Sequence, residues 1–132
     1  MLWEIAIMIA SAAAQPVPVV GAERATLLDV ARAPVSKALG KPILFKVDRL
    51  ARAGDWAFLL AQLADRGGAP VDYAGTPKAD AAQHGMMSRR YAALMRREGD
   101  RWVVVTDAIG PTDVAWADWA TRYGAPPSLF KN

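Results

Sequence analysis

The chain has 132 residues, 53 % of them apolar, with a formal net charge of +3 and no cysteine. That length suits one domain with a hydrophobic core of its own. The lack of thiols excludes a disulfide scaffold, thiolate catalysis and any cysteine-based zinc site.

Residues 5 to 14 read IAIMIASAAA, an apolar run that ends in small residues. It is too short to span a bilayer but has the length of a signal-peptide core, and Ala12-Ala13-Ala14 before Gln15-Pro16 fits a cleavage site. Residues 1–14 are therefore expected to be a signal peptide, the alternative being a short buried strand or helix. Residues 15–22, with QPVPVVG, read as a proline-punctuated linker or a short edge strand. Residues 23–132 form the predicted domain.

A helix is predicted over Glu23 to Gly40. Leu28, Ala31, Val35 and Leu39 recur at near-helical spacing, with Leu27 and Ala38 alongside. Glu23 in the first turn, Lys37 in the last and Gly40 as C-cap suit the macrodipole and the left-handed cap. Pro34 is expected to kink this helix or divide it.

A first strand follows Pro42. Ile43, Phe45 and Val47 alternate with Leu44, Lys46 and Asp48, but Leu50 falls on the wrong parity, and a bulge near Asp48-Arg49 restores it. Ala53-Gly54-Asp55 is the hairpin turn. Trp56 to Leu63 is apolar on both faces, which places it centrally. Residues 69–85 read as a loop, with one helical turn at Asp80 to Gln83. Tyr91–Arg97 and Arg101–Ile109 flank Glu98-Gly99-Asp100 as a second hairpin. Pro111 and then Thr112 or Asp113 as N-cap open a last helix, on which Trp116, Trp119, Ala120 and Tyr123 share one face. That face reads as packing against the sheet; the alternative is the aromatic wall of a ligand pocket. The predicted fold class is α+β: an N-terminal helix on a curved antiparallel sheet of about four strands in two hairpins, with a C-terminal helix. The open first strand leaves an edge on which a homodimer could form.

No catalytic constellation emerges. His84 is the single histidine, and no G-x-S-x-G motif marks a nucleophile. Met86-Met87 reads as core filling. Asp107 reads as the partner of an arginine and Asp113 as a cap, so no metal site is assigned. No phosphate loop or dinucleotide fingerprint is present. No cofactor is expected. The basic residues lie along the whole chain, with Arg89-Arg90 and Arg96-Arg97 as local pairs, so nucleic acid is not an expected partner. The one candidate site is an anion-binding patch of Tyr73, His84, Arg89 and Arg90, formed if the 69–85 loop folds over the sheet.

The stretches LLDVARAPV, DWAFLLAQL, YAALMRREGDRWVVV and AIGPTDVAWADW resemble an uncharacterised family of exported proteobacterial proteins, over about Arg24 to Phe130. The resemblance implies a small exported α+β protein and carries no activity or site residue. The lysine-free start MLWE departs from the usual exported pattern. More distantly, a helix wrapped by a curved sheet is similar to the cystatin-like and nuclear-transport-factor-like superfold, which hosts enzymes and binding modules alike.

The expected function is a non-enzymatic envelope module, periplasmic or secreted, that binds a partner protein, a peptide or a small anionic ligand. The alternative is a small-pocket acid–base enzyme, of hydrolase or isomerase type, with Asp72, Tyr73 or His84 converging between helix and sheet. A third reading is an anionic-surface binder, recognised by strong salt dependence.

Overall fold

The computed structural model describes residues Gln15 to Lys131; the expected signal segment, 1–14, lies outside them. The chain folds as an α+β protein around a five-stranded antiparallel sheet in the order β1-β2-β3-β4-β5. The strands are β1 (Val17–Pro18), β2 (Leu44–Ala53), β3 (Trp56–Ala64), β4 (Arg90–Glu98) and β5 (Arg101–Ile109). Helix α1 (Gly21–Leu39) lies between β1 and β2, α2 (Ala79–Gln83) between β3 and β4, and α3 (Trp119–Tyr123) after β5, followed by a 3-10 turn at Pro127–Phe130. The count of strands exceeds the expected four because the proline-punctuated segment does join the edge, pairing Val17 with Arg52 and Pro18 with Ala51. No described helix is long and apolar enough to cross a membrane.

Helix α1 is continuous through Pro34, so of the two expected outcomes, a kink or a division, the division does not occur. Leu27, Ala31, Val35 and Leu39 are all buried on one side, a spacing of four that gives one helix face. Ala31 and Val35 flank the proline and anchor both halves to the same core, which offsets the lost N–H and holds the helix together. Replacing Pro34 with Ala supplies an N–H for the Val30 carbonyl. It should raise stability by about 1–2 kcal/mol, the intrinsic helical gain less the freedom returned to the unfolded chain. A urea midpoint at or below that of the wild type would contradict this. At the C-terminus the left-handed Gly40 donates to the Ser36 carbonyl at 2.8 Å.

Both hairpins close as the turn chemistry predicts. Ala53 pairs with Trp56 across Gly54-Asp55, and Glu98 pairs with Arg101 across Gly99-Asp100. The phase slip in β2 is a bulge: Val47 pairs with Ala61, Arg49 with Leu60, and Asp48 is left between them. A second bulge, invisible as a phase slip in the Val103-Val104-Val105 run, sits in β5. There Met95 pairs with Val104 and Leu94 with Thr106, so Val105 has no opposite residue.

β3 is central and covered on both faces, so its apolar character on both parities is satisfied. Toward α1 it contributes Ala57, Leu59, Ala61 and Leu63, which pack with Leu27, Val35, Tyr91 and Met95. Toward the other face it contributes Phe58, which packs with Ala92, Leu94 and the C-terminal segment.

That segment differs from the single helix expected from Thr112 or Asp113. Successive three-residue turns, Ala117 N–H to Val114 carbonyl at 3.0 Å and Trp119 N–H to Trp116 carbonyl at 3.1 Å, precede the short α3. Asp118, without a side-chain capping bond, stands at its N-cap. The tighter turns seat both indoles around Phe58, Trp116 tilted at 6.0 Å and Trp119 edge-on at 6.3 Å between centroids. Phe130 closes the cluster at 4.8 Å. Both tryptophans are buried.

Candidate functional site

The loop that sequence alone leaves irregular is tied down at one end of the sheet. Val71 N–H donates to the Leu63 carbonyl at 3.0 Å, and Leu63 N–H to the Arg89 carbonyl at 2.7 Å. Tyr73 is buried and its hydroxyl donates to the Ser88 carbonyl at 2.6 Å. Burial pushes the Tyr73 phenol above its ordinary range, while the nearby Arg89 charge acts in the opposite sense. Arg89 Nε in turn donates to the Val71 carbonyl at 2.9 Å. Met87 packs against the helix-side core, whereas Met86 is exposed.

Of the four residues expected to form an anion patch, the fold brings two together. Tyr73 and Arg89 line a shallow hollow of about 200 Å³ that also includes Asp72 and Gln83. His84 is exposed beyond the end of α2, its Nδ1 at 2.8 Å from the Asp80 carbonyl. Arg90 belongs to the opposite face of the sheet, where its guanidinium lies over Trp116 at 5.3 Å. The separation follows from strand alternation, since neighbours on a strand project to opposite faces. An adjacent Arg-Arg pair at the entry into β4, Arg89 just before the strand and Arg90 its first residue, is therefore split between two surfaces.

Next to this hollow, the Lys41 ammonium lies 2.7 Å from Asp65 Oδ1, and the Asp72 N–H donates to Asp65 Oδ2 at 3.0 Å. The Lys41 bond, helped by the Asp72 N–H and opposed by burial, holds the Asp65 carboxyl below its ordinary value of 3.8. A lowered folded-state pKa stabilises the fold above about pH 4, and the contribution is lost as pH falls through the folded-state value. Lys41→Met should therefore be less stable than the wild type near neutrality, and the gap should narrow in acid. Parallel acid-limb melts of the two proteins measure it, and a gap that widens below about pH 4 would contradict the pairing.

Tyr91 provides a second buried polar contact. Its hydroxyl donates to Asp107 Oδ2 at 2.8 Å, with the Ala31 carbonyl at 3.4 Å, and its ring stacks on Phe45 at 5.2 Å. Asp107 thus receives a tyrosine hydroxyl rather than the arginine expected for it. Burial, with Asp107 beside it, pushes the Tyr91 phenol far above its ordinary range. A phenol held neutral and engaged by a fixed carboxylate anchors α1 to β4 and β5 and is unsuited to act as a base near neutral pH.

A larger concavity lies elsewhere, where β1, the β2 bulge and the C-terminal turn meet. It has a volume of about 550 Å³ and is lined by Val17, Pro18, Asp48, Arg49, Leu50 and Lys131, among others. That is within the size range of small-ligand sites, about 300–1,000 Å³. Arg49 Nη2 donates to the Leu129 carbonyl at 3.0 Å, and Arg49 Nε is buried, with no hydrogen-bond partner among the described residues. Sequence reading placed a bulge here but attached no site to it. The signal was the phase slip itself, because a bulge re-aims the residue that follows it.

No family model, curated protein or solved structure matches the chain. Among the described residues no cluster of three or more histidine, cysteine, aspartate or glutamate side chains is placed to hold a metal ion.

Proposed function

We propose that this protein is a non-enzymatic binding module of the cell envelope, exported to the periplasm or secreted. The supporting observation is the filled space between α1 and the sheet. Leu27, Val35, Leu39, Leu59, Leu63 and Tyr91 occupy it, each at most 2 % exposed. An acid–base enzyme of the kind weighed from sequence needs a polar pocket in that space, with Asp72, Tyr73 or His84 converging on it. Here Tyr73 spends its hydroxyl on the Ser88 carbonyl and His84 stands outside the hollow. The surface concavities, by contrast, present cations beside apolar walls, a composition that suits recognition of a peptide or a small anion.

The helix laid across an antiparallel sheet supports the analogy with the cystatin-like superfold, and bulges in β2 and β5 favour the curvature that analogy requires. Export rests on the apolar run 5–14 and its small-residue end.

Two measurements on the native host test the reading. Fractionation with N-terminal mass analysis should find a chain beginning at Gln15 outside the cytoplasm. Chemical crosslinking in intact cells should convert part of it into a discrete larger adduct. An unprocessed, cytoplasmic, uncrosslinked chain would refute the proposal.

A further inference from the structure

We infer that the groove built on the β2 bulge binds a carboxylate joined to a small apolar group, the chemistry shared by a free apolar amino acid and a peptide C-terminus. The inference deepens the binding-module reading and rests on it.

The bulge decides which residue enters the groove. In an unbroken β2, Arg49 would share the face of Phe45 and Val47, which pack toward α1. With Asp48 set between the ladder rungs, Arg49 pairs with Leu60, a neighbour of the Phe58 cluster, and lines the groove. The same shift turns Leu50 into the helix-side core. One inserted residue thus moves a guanidinium onto the outer concavity and an aliphatic side chain inward.

Arg49 is positioned rather than loosely solvated. The C-terminal turn holds Nη2 through the Leu129 carbonyl, and Nε is buried, with no hydrogen-bond partner among the described residues. A guanidinium held in this way keeps a fixed orientation at the groove, and a carboxylate is the natural complement of its fork. Lys131 lines the same groove. Among the described residues, the ion pairs engage Asp29, Asp65, Glu23, Asp80 and Asp55, and neither Arg49 nor Lys131 takes part. Two cations therefore line the space with no ion pair among the described residues. The walls beside them are apolar: the exposed Val17 (52 %) and Pro18 on one side, and Ala51 on the other. A bare inorganic anion would leave those walls wet, whereas a carboxylate carrying an aliphatic group covers them. Asp48, on the same groove, supplies a partner for an ammonium, which separates the two sources of the ligand.

The test is an amide NMR titration of the full chain with leucine, N-acetyl-leucine and leucinamide. Leucine and N-acetyl-leucine should shift the amides of Val17, Leu50, Ala51 and Lys131, and leucinamide, which lacks the carboxylate, should not. Tighter binding of leucine points to a free amino acid; tighter binding of N-acetyl-leucine points to a peptide C-terminus. Lys131→Gln and Arg49→Gln should each weaken binding about tenfold or more, the loss expected for a charged hydrogen bond. Lys37→Gln on α1 should leave it unchanged. Arg49 also tethers the C-terminal turn, so a melt of that variant accompanies its titration, and Lys131→Gln carries the test if it unfolds. Equal shifts with leucinamide, or wild-type binding by both groove variants, overturn the assignment. So does silence toward all three probes. Shifts confined to the surroundings of Tyr73 and Arg89 also overturn it, yet leave the binding-module reading standing.

Discussion

Trp119→Ala should lower the stability of the fold by about 3–5 kcal/mol, the usual range for removing a large buried aromatic side chain. For a domain of this length that is a fall of roughly 10–20 °C in melting temperature. The reasoning is local. Trp119 is only 4 % exposed and meets Phe58 edge-on, in a cluster shared with Trp116, Leu129 and Phe130. The short α3 has five residues, too few to be stable alone. Its place on the sheet depends on these rings, so their loss should release the whole segment after β5. Trp116→Ala should act in the same direction. Its indole is covered on the outer side by the exposed Arg90, so solvent reaches the vacated space more easily and the loss should be smaller. Thermal melts of both variants decide the matter. An unchanged midpoint for Trp119→Ala would place that indole outside the core.

Gly110→Ala is expected to be the other severe substitution, at about 2–5 kcal/mol. Two contributions combine there. Gly110 has φ of 64°, in the left-handed region, where an L-residue costs roughly 1–2 kcal/mol. A Cβ at this position would also meet the Met87 side chain at 2.5 Å, the Ser88 carbonyl at 2.8 Å and the Tyr73 hydroxyl at 3.0 Å. Met87 can swing aside, but the Ser88 carbonyl is backbone, fixed by the Tyr73 hydroxyl that it accepts. Overpacking of this kind typically adds about 1–3 kcal/mol. Gly85 is the matched control, with φ of 70° and nothing within 4 Å of its added Cβ. Gly85→Ala should therefore lose only the backbone contribution. Chemical denaturation of the two variants side by side reads the difference, and equal losses would contradict the crowding at Gly110.

How much of this was legible in the sequence depends on the range of the interaction concerned. The α1 face, both two-residue turns and the β2 bulge follow from side-chain periodicity and turn chemistry, which act over a few residues. The central place of β3 follows from its apolar character on both parities. The β5 bulge left no trace, because Val103, Val104 and Val105 are alike and a slip among identical residues changes no pattern. The C-terminal segment was read as one long helix because Trp116 and Trp119 have helical spacing. A three-residue turn gives nearly the same spacing, and contact with Phe58 selects it. The anion patch joined residues close in sequence, and strand alternation then sent Arg90 to the far face. The groove was illegible for the opposite reason. Val17, Arg49 and Lys131 come from the start, middle and end of the chain, and only the closed fold makes them neighbours.

The two irregular strands have a consequence beyond their own ladders. β5 forms one flank of the sheet, and β2 the other beyond the two residues that β1 covers. A flank rich in valine and leucine with an even rhythm would template the growth of fibres. Here each flank loses step midway, at Asp48 and at Val105, so an incoming strand stays in register for only a few residues before its side chains land on the wrong side. The misfit works against open-ended polymerisation along either flank.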